Sequence, residues 1–202
     1  QASWHLANLD NVKVVKLLSR VIMDLAEGEI KQNLNRFDSG QTFSKYINKS
    51  YSKTASLIAN STKAAGVLSN LEDKKLDCLY DFGKNIGLAF QVVDDILDFT
   101  GNDKQLGKPA VSDLASGYLT APVLYALEEN KNLSVLINRE LVEKEDLNNA
   151  LNIIMDSQAI KRSRKLAEDF AIRSNEAISW LPDSEYKRAL LALPEFVLSR
   201  LY

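Results

Sequence analysis

The chain has 202 residues, 46% of them hydrophobic and 26% charged, enough to bury a core as one domain or two small ones. With 25 basic against 27 acidic residues, its net charge of −2 offers no basic field for nucleic acid or an anionic membrane, so any phosphate chemistry must be local. One cysteine, Cys78, excludes an internal disulfide and fits a reducing compartment with the thiol in the core, and no run of about 18 apolar residues exists to span a membrane.

The first ten residues, QASWHLANLD, lack the basic start and apolar core of a signal peptide and also an initiator methionine. Val14, Leu18, Val21, Ile22 and Leu25 then recur at helical spacing, with Asp10 or Asn11 as the cap. Residues 30–41 turn polar, and FDSGQ reads as a loop. A second helix is predicted over 42–69, rich in small residues that allow close packing, and a third over 72–100. Two glycines and a proline make 101–113 a loop. Further helices are predicted near 119–129, 145–156, 158–181 and 184–201; Pro122 falls in a first turn, and Pro194 either kinks or splits the last helix. With no useful period-2 alternation, the fold class is all-α.

The third helix carries the chemistry. Leu79, Phe82, Ile86, Phe90, Val93 and Leu97 form one apolar stripe. Gln91, Asp94 and Asp98 form a polar seam beside it, on a helix whose other sides read as buried. Gly83 and Gly87 each cost the helix about 1 kcal/mol against alanine, so another backbone or a substrate is expected to approach there. Carboxylates one turn apart repel by roughly 4 kcal/mol at an effective dielectric of 20 and a separation of about 4 Å. A hard divalent cation reverses that sign, and so few oxygen ligands suit Mg²⁺, which completes its shell with water and substrate phosphate. The plainer reading is an exposed acidic patch paired with lysines. A calcium loop fails, since DFTGNDKQLGKP has Asp103 and Pro109 where the EF-hand needs glycine and glutamate. Lys53 and Thr54 on the preceding helix, and Lys108 in the following loop, supply what a magnesium-bound diphosphate needs around it, although singly each lysine reads as a surface residue.

The segments KTASLIANSTKAAG, FGKNIGLAFQVVDDILDFTG and LGKPAVSDLASGYLTAPVLYAL resemble the trans-isoprenyl diphosphate synthases, most closely the long-chain, solanesyl-type polyprenyl synthases of cyanobacteria and plastids. The resemblance runs in order from Gln1 to Tyr202 and rests on FQxxDDxxDxxG followed by GK, with an upstream KT. It implies a multi-helix isoprenoid-synthase-type bundle around a central cavity. It implies that Asp94, Asp95 and Asp98 coordinate Mg²⁺, that Lys53 and Lys108 hold the allylic diphosphate, that Thr54 and Gln91 face the first carbons of the allylic chain, and that Phe90 lines the condensation site. The implied reaction condenses isopentenyl diphosphate with an allylic diphosphate into a longer trans-polyprenyl diphosphate. The implied assembly is a homodimer through the early helix, in the cytoplasm or, for a plant or alga, the plastid stroma.

Two departures stand out. Tyr118 occupies a position that is lysine in many members, and no second DDxxD occurs in the 202 residues. On that ground residues 1–202 are expected to be the C-terminal portion of a single polyprenyl synthase domain, truncated at the N-terminus and inactive alone. The alternatives are a non-catalytic regulatory or scaffolding subunit and a class I terpene cyclase, whose Asn, Ser and Glu metal motif the later helices do not match. His5, the only histidine, is expected near the surface, Trp4 and Trp180 as packing residues, and the basic run from Lys161 to Lys165 and the charged stretch 138–148 as solvated faces.

Overall fold

A computed structural model describes residues 2–101 and 111–202, and every regular element among them is helical, as the periodicity predicts. After a short α1 (Ala2–Ala7), the Asn11 side chain accepts from the Val14 N–H at 3.2 Å and opens α2 (Val12–Leu34). Thr42 does the same for α3 (Phe43–Ser50), accepting from Lys45 at 3.3 Å. The helix predicted over 42–69 is interrupted: α3 runs into a π-helical turn, Tyr51–Ala55, before α4 (Ser56–Leu68). The turn carries both Lys53 and Thr54, and wide turns of this kind concentrate at functional sites because they re-aim the side chains they carry.

The long helix α5 (Asp73–Thr100) is the axis of the molecule, in contact with α4, the π-turn, α10 (Ala159–Ala177) and α11 (Glu185–Ser199). Leu88, Val92, Val93 and Ile96 on it are fully buried, and each such side chain contributes roughly 1.5–3 kcal/mol by leaving water. What approaches its glycines is backbone. A Cβ on Gly87 would stand 2.6 Å from the Ala55 Cα, and one on Gly83 would meet the Ile58 carbonyl at 2.6 Å. At the same crossing the Thr62 hydroxyl donates to the Leu79 carbonyl at 2.7 Å. The π-turn is thereby pressed against α5 beside Gln91.

Beyond α5 come α6 (Ser112–Ala115), α7 (Ala121–Glu129) with Pro122 in its first turn, α8 (Lys131–Asn138) and α9 (Asp146–Asp156). Neither α1 nor α8 is predicted from sequence; α8 buries only Leu133 and Ile137, too short a stripe to show a period. α11 runs unbroken through Pro194. One surface expectation and one packing expectation need correction. Asp146 in the charged stretch is buried, 1% exposed, where it pairs with Arg139 and accepts from the Glu143 N–H. Trp4 is 67% exposed and packs little. His5 is exposed, and among the described residues no helix is long and apolar enough to cross a membrane.

Candidate functional site

A cleft of roughly 780 Å³ opens along α5, walled by Lys53, Gln91, Asp94, Asp95, Asp113 and the C-terminal residues Arg200–Tyr202. Lys53 projects from the π-turn and is held by Glu29 and Gln32 of α2, its Nζ 3.0 Å from each. Thr54, next to it, donates to Gln91 Oε1 at 2.6 Å; Gln91 Nε2 donates to Asp95 Oδ1 at 2.8 Å; Tyr46 OH donates to Asp95 Oδ2 at 2.6 Å. The order of this relay follows from its last member. A carboxylate accepts, so the Gln91 amide must turn its NH₂ toward Asp95 and its oxygen toward Thr54. The single Thr54 proton is thereby committed to Gln91.

The polar seam expected from Gln91, Asp94 and Asp98 divides in three. Asp94, 37% exposed, pairs with Arg200 at 2.7 Å, and the Arg200 guanidinium lies 4.7 Å from the centre of the Phe90 ring. Asp95, rather than Asp94, is the Gln91 partner; burial pushes its carboxyl up to about 6, against the opposing influence of Lys49, Tyr46 and Gln91. Burial also raises the Tyr46 hydroxyl and lowers the Lys49 ammonium. Asp98 is fully buried and does not line the cleft: it accepts from the Ser112 hydroxyl and the Asp113 N–H, each at 3.1 Å, while its carbonyl accepts from Val111 N–H at 2.8 Å. Val111 adopts φ 60°, a left-handed conformation costly for a β-branched residue. That turn, fastened by Asp98, aims Asp113 into the cleft.

Among the described residues no three His, Cys, Asp or Glu side chains converge closely enough to hold an ion together, so Asp94, Asp95 and Asp98 do not form one cage. The donor set still suits Mg²⁺, which takes one or two carboxylates and fills its shell with water and phosphate. Lys108 lies outside the described residues. Phe90 underlies Arg200 and does not line the cleft, and Tyr118 stacks against Arg36, its ring centre 5.7 Å away.

Several site residues are invisible to sequence reasoning. Arg164, read as part of a solvated basic run, lines the cleft, donates to the Leu201 carbonyl at 3.3 Å and stacks on Tyr202. Its neighbours behave as predicted: Arg162 pairs with Glu128 and Glu129, and Lys165 with Asp169, all outside the cleft. Tyr46, Lys49 and Arg200 carry no motif signal. Asp113 does stand in the segment that carries the GK motif, and its spacing from Lys108 was the available clue.

Known proteins resemble this chain along its whole length. A family model described as polyprenyl synthetase matches residues 1–154. A prenyl transferase of Synechocystis sp. is 54% identical over 202 residues, covering 100% of this chain and 62% of that protein. Solanesyl diphosphate synthase 2, chloroplastic, of Arabidopsis thaliana is 48% identical over 201 residues, 100% of this chain and 48% of its own length. The apo form of an Arabidopsis medium/long-chain length prenyl pyrophosphate synthase superposes with a TM-score of 0.89 at 36% identity, covering 100% of this chain and 69% of that one. The chain thus spans about half to three fifths of the length of these curated relatives.

Proposed function

Because the chain belongs to the polyprenyl synthetase family, we propose that it is the C-terminal portion of a trans-polyprenyl diphosphate synthase, which condenses isopentenyl diphosphate with an allylic diphosphate in a Mg²⁺-dependent reaction. The observation that carries this reading is the convergence on one cleft of the Lys53 cation, the Asp94 carboxylate, Gln91 and Asp95, with Thr54 bonded to Gln91. Asp94, with Asp113 on the same cleft, is proposed to hold Mg²⁺, and the ion when bound would withdraw charge from the leaving diphosphate.

This chain's own residues do the rest. Lys53 binds a phosphate oxygen as a point charge, kept on the cleft wall by Glu29 and Gln32 until the substrate competes for it. On the resemblance, the Thr54 oxygen, its proton committed to Gln91, is proposed to face carbon that becomes positive as the diphosphate departs. Asp95 acts through Gln91 by fixing the amide. Asp98 holds the Val111–Asp113 turn in place. Lys108 is proposed as the second lysine of the diphosphate site on the resemblance alone.

The whole synthase is proposed to be a homodimer. Support comes from α2, which exposes Ile22, Ile30 and Leu34 at 65%, 61% and 77%, an apolar face that a second copy would cover. The chloroplastic relatives support the plastid stroma if the source is a plant or alga; the cytoplasm is the proposal otherwise. The 202-residue chain is proposed to bind without condensing, because only one aspartate-rich motif is present.

The test is a calorimetric titration of a bisphosphonate into the chain with and without Mg²⁺, alongside Asp94→Ala. Binding that needs Mg²⁺ and disappears in the variant supports the reading. Binding indifferent to both, or none at all, refutes it.

A further inference from the structure

Far from the cleft, α2, α4 and the start of α5 border a groove of about 350 Å³. Leu76 in the groove and Gln91 in the cleft stand roughly 22 Å apart along α5, at about 1.5 Å per residue. Leu17, Val67 and Leu76 give the groove its apolar lining, and its size falls at the small end of the roughly 300–1,000 Å³ typical of small-molecule sites.

Asn60 also lines the groove, although the residue is only 4% exposed. A chain of buried groups sets its orientation. The Asp24 carboxylate can only accept, so the Ser56 hydroxyl donates to one of its oxygens at 2.5 Å and Arg20 to the other at 2.8 Å. The Ser56 proton is then spent, and its Oγ accepts from Asn60 Nδ2 at 3.2 Å, as the Ser56 carbonyl does at 2.8 Å. The Asn60 amide therefore turns its nitrogen to Ser56 and its oxygen away. That oxygen makes no hydrogen bond among the described residues and is not sealed off, so it opens on the groove that Asn60 lines. It is a fixed acceptor in an apolar wall.

The rim adds charge. Arg20 and Lys63 border the groove but are spent on Asp24 and on Asp77, the latter 2.7 Å away. Lys13 and Lys16, one turn apart on α2, make no ion pair or hydrogen bond among the described residues, and the one carboxylate of the lining, Asp73, pairs with neither. Because both lysines are exposed, they select the sign of a ligand's charge more than they add affinity. Free ammoniums select an anion, the Asn60 oxygen selects an N–H or O–H, and the leucine and valine lining selects an apolar body.

We infer that this groove is a second binding site, separate from the cleft, for a small amphipathic acid with an N–H or O–H donor between its acid group and an apolar chain, the pattern of an N-acylated amino acid. The α2 residues that support the homodimer, Ile22, Ile30 and Leu34, lie beyond the groove's last α2 residue, Arg20.

The experiment is calorimetric titration of N-decanoylglycine into the chain, beside the decanoyl ester of glycolic acid, which has the same chain and acid but an ester oxygen in place of the N–H. The amide is expected to bind about three- to tenfold more tightly than the ester. Lys13→Ala combined with Lys16→Ala should weaken both about fivefold, a difference that shrinks in high salt. Asn60→Leu, checked for folding by thermal melt, should erase the preference for the amide; if it does not fold, the amide–ester comparison in the wild type decides. Inorganic diphosphate with Mg²⁺ should leave the binding unchanged, which separates the groove from the cleft. Equal binding of amide and ester, indifference to the loss of both lysines, displacement by diphosphate, or no binding at all overturns the inference. Sedimentation of the double-lysine variant completes the test: an altered oligomeric state makes the groove an interface between copies and defeats the ligand site, whereas an unaltered one supports it.

Discussion

Buried carboxylates in this molecule are handled in two ways, and the difference separates scaffold from site. Asp24, between α2 and α4, is 4% exposed; Arg20 donates to one oxygen at 2.8 Å and Ser56 to the other at 2.5 Å. Asp146 has Arg139 in the same way. Each of these two scaffold carboxylates therefore has an arginine partner, and its local charge is closed. Asp95 is buried as deeply, yet only the neutral groups Tyr46 and Gln91 donate to it, and no arginine or lysine makes an ion pair with it among the described residues. Charge left unclosed at a cavity wall is what a charged ligand completes.

The sharpest way to break that comparison is to exchange the cost between the two regions. Lys53→Met in a complete synthase is expected to lower kcat/KM by about 100-fold or more while leaving Tm unchanged, since the lost contact serves the transition state rather than the fold. Arg139→Met should do the opposite: a melting temperature several degrees lower, with undiminished activity per folded molecule, because Asp146 is left buried without its counter-ion. Should Lys53→Met unfold the protein, or Arg139→Met abolish turnover in folded enzyme, the division between scaffold and site is wrong.

Next in size is the pH dependence of Asp95. Its folded carboxyl is raised to about 6 from 3.8, so its ionised form opposes folding. The stabilisation is fully present below about 3.8 and is lost as pH rises through about 6. In metal-free buffer, Asp95→Asn is thus expected to gain on the order of 2 kcal/mol over wild type at pH 8. That advantage should shrink toward pH 4. Chemical denaturation at the two pH values measures it, and a constant difference would show that Asp95 is not the titrating group.

Gly87→Ala tests how far the two regions are joined. Its added methyl meets Ala55 on the π-turn, so about 1–3 kcal/mol of stability should be lost together with diphosphate affinity, read by melts and calorimetry. The smallest effect belongs to Arg200→Ala. Removing the guanidinium that pairs with Asp94 should tighten binding of Mg²⁺ alone by about two- to threefold, and a loss of Mg²⁺ binding would contradict the pairing as a competitor.

Much of this was legible in the residues. Apolar spacing located α5 and its buried sides, Gly83 and Gly87 announced a close backbone approach, and Asn11 and Pro122 marked helix starts, because each reports on a few neighbouring backbone positions. The motif also named Lys53, Thr54 and Gln91, which the fold brings onto or beside one cleft. The division of the seam was not legible. Spacing puts Gln91, Asp94 and Asp98 on one face, but the i+4 partner of Gln91 is Asp95, and Asp98 points to the chain that follows.

The sequence by itself determined an all-α fold, a central helix carrying aspartates, and a family. Only the tertiary structure decided what each aspartate is bonded to: Arg200 for Asp94, Tyr46 and Gln91 for Asp95, Ser112 and a backbone N–H for Asp98. The reason is range. Helical periodicity is set by hydrogen bonds four residues apart, whereas Tyr46 and Asp95 are 49 apart and Thr54 and Gln91 are 37 apart. Such pairs meet only when helices pack, and a π-turn that shifts the register of Lys53 and Thr54 leaves no mark on the hydrophobic period that precedes it.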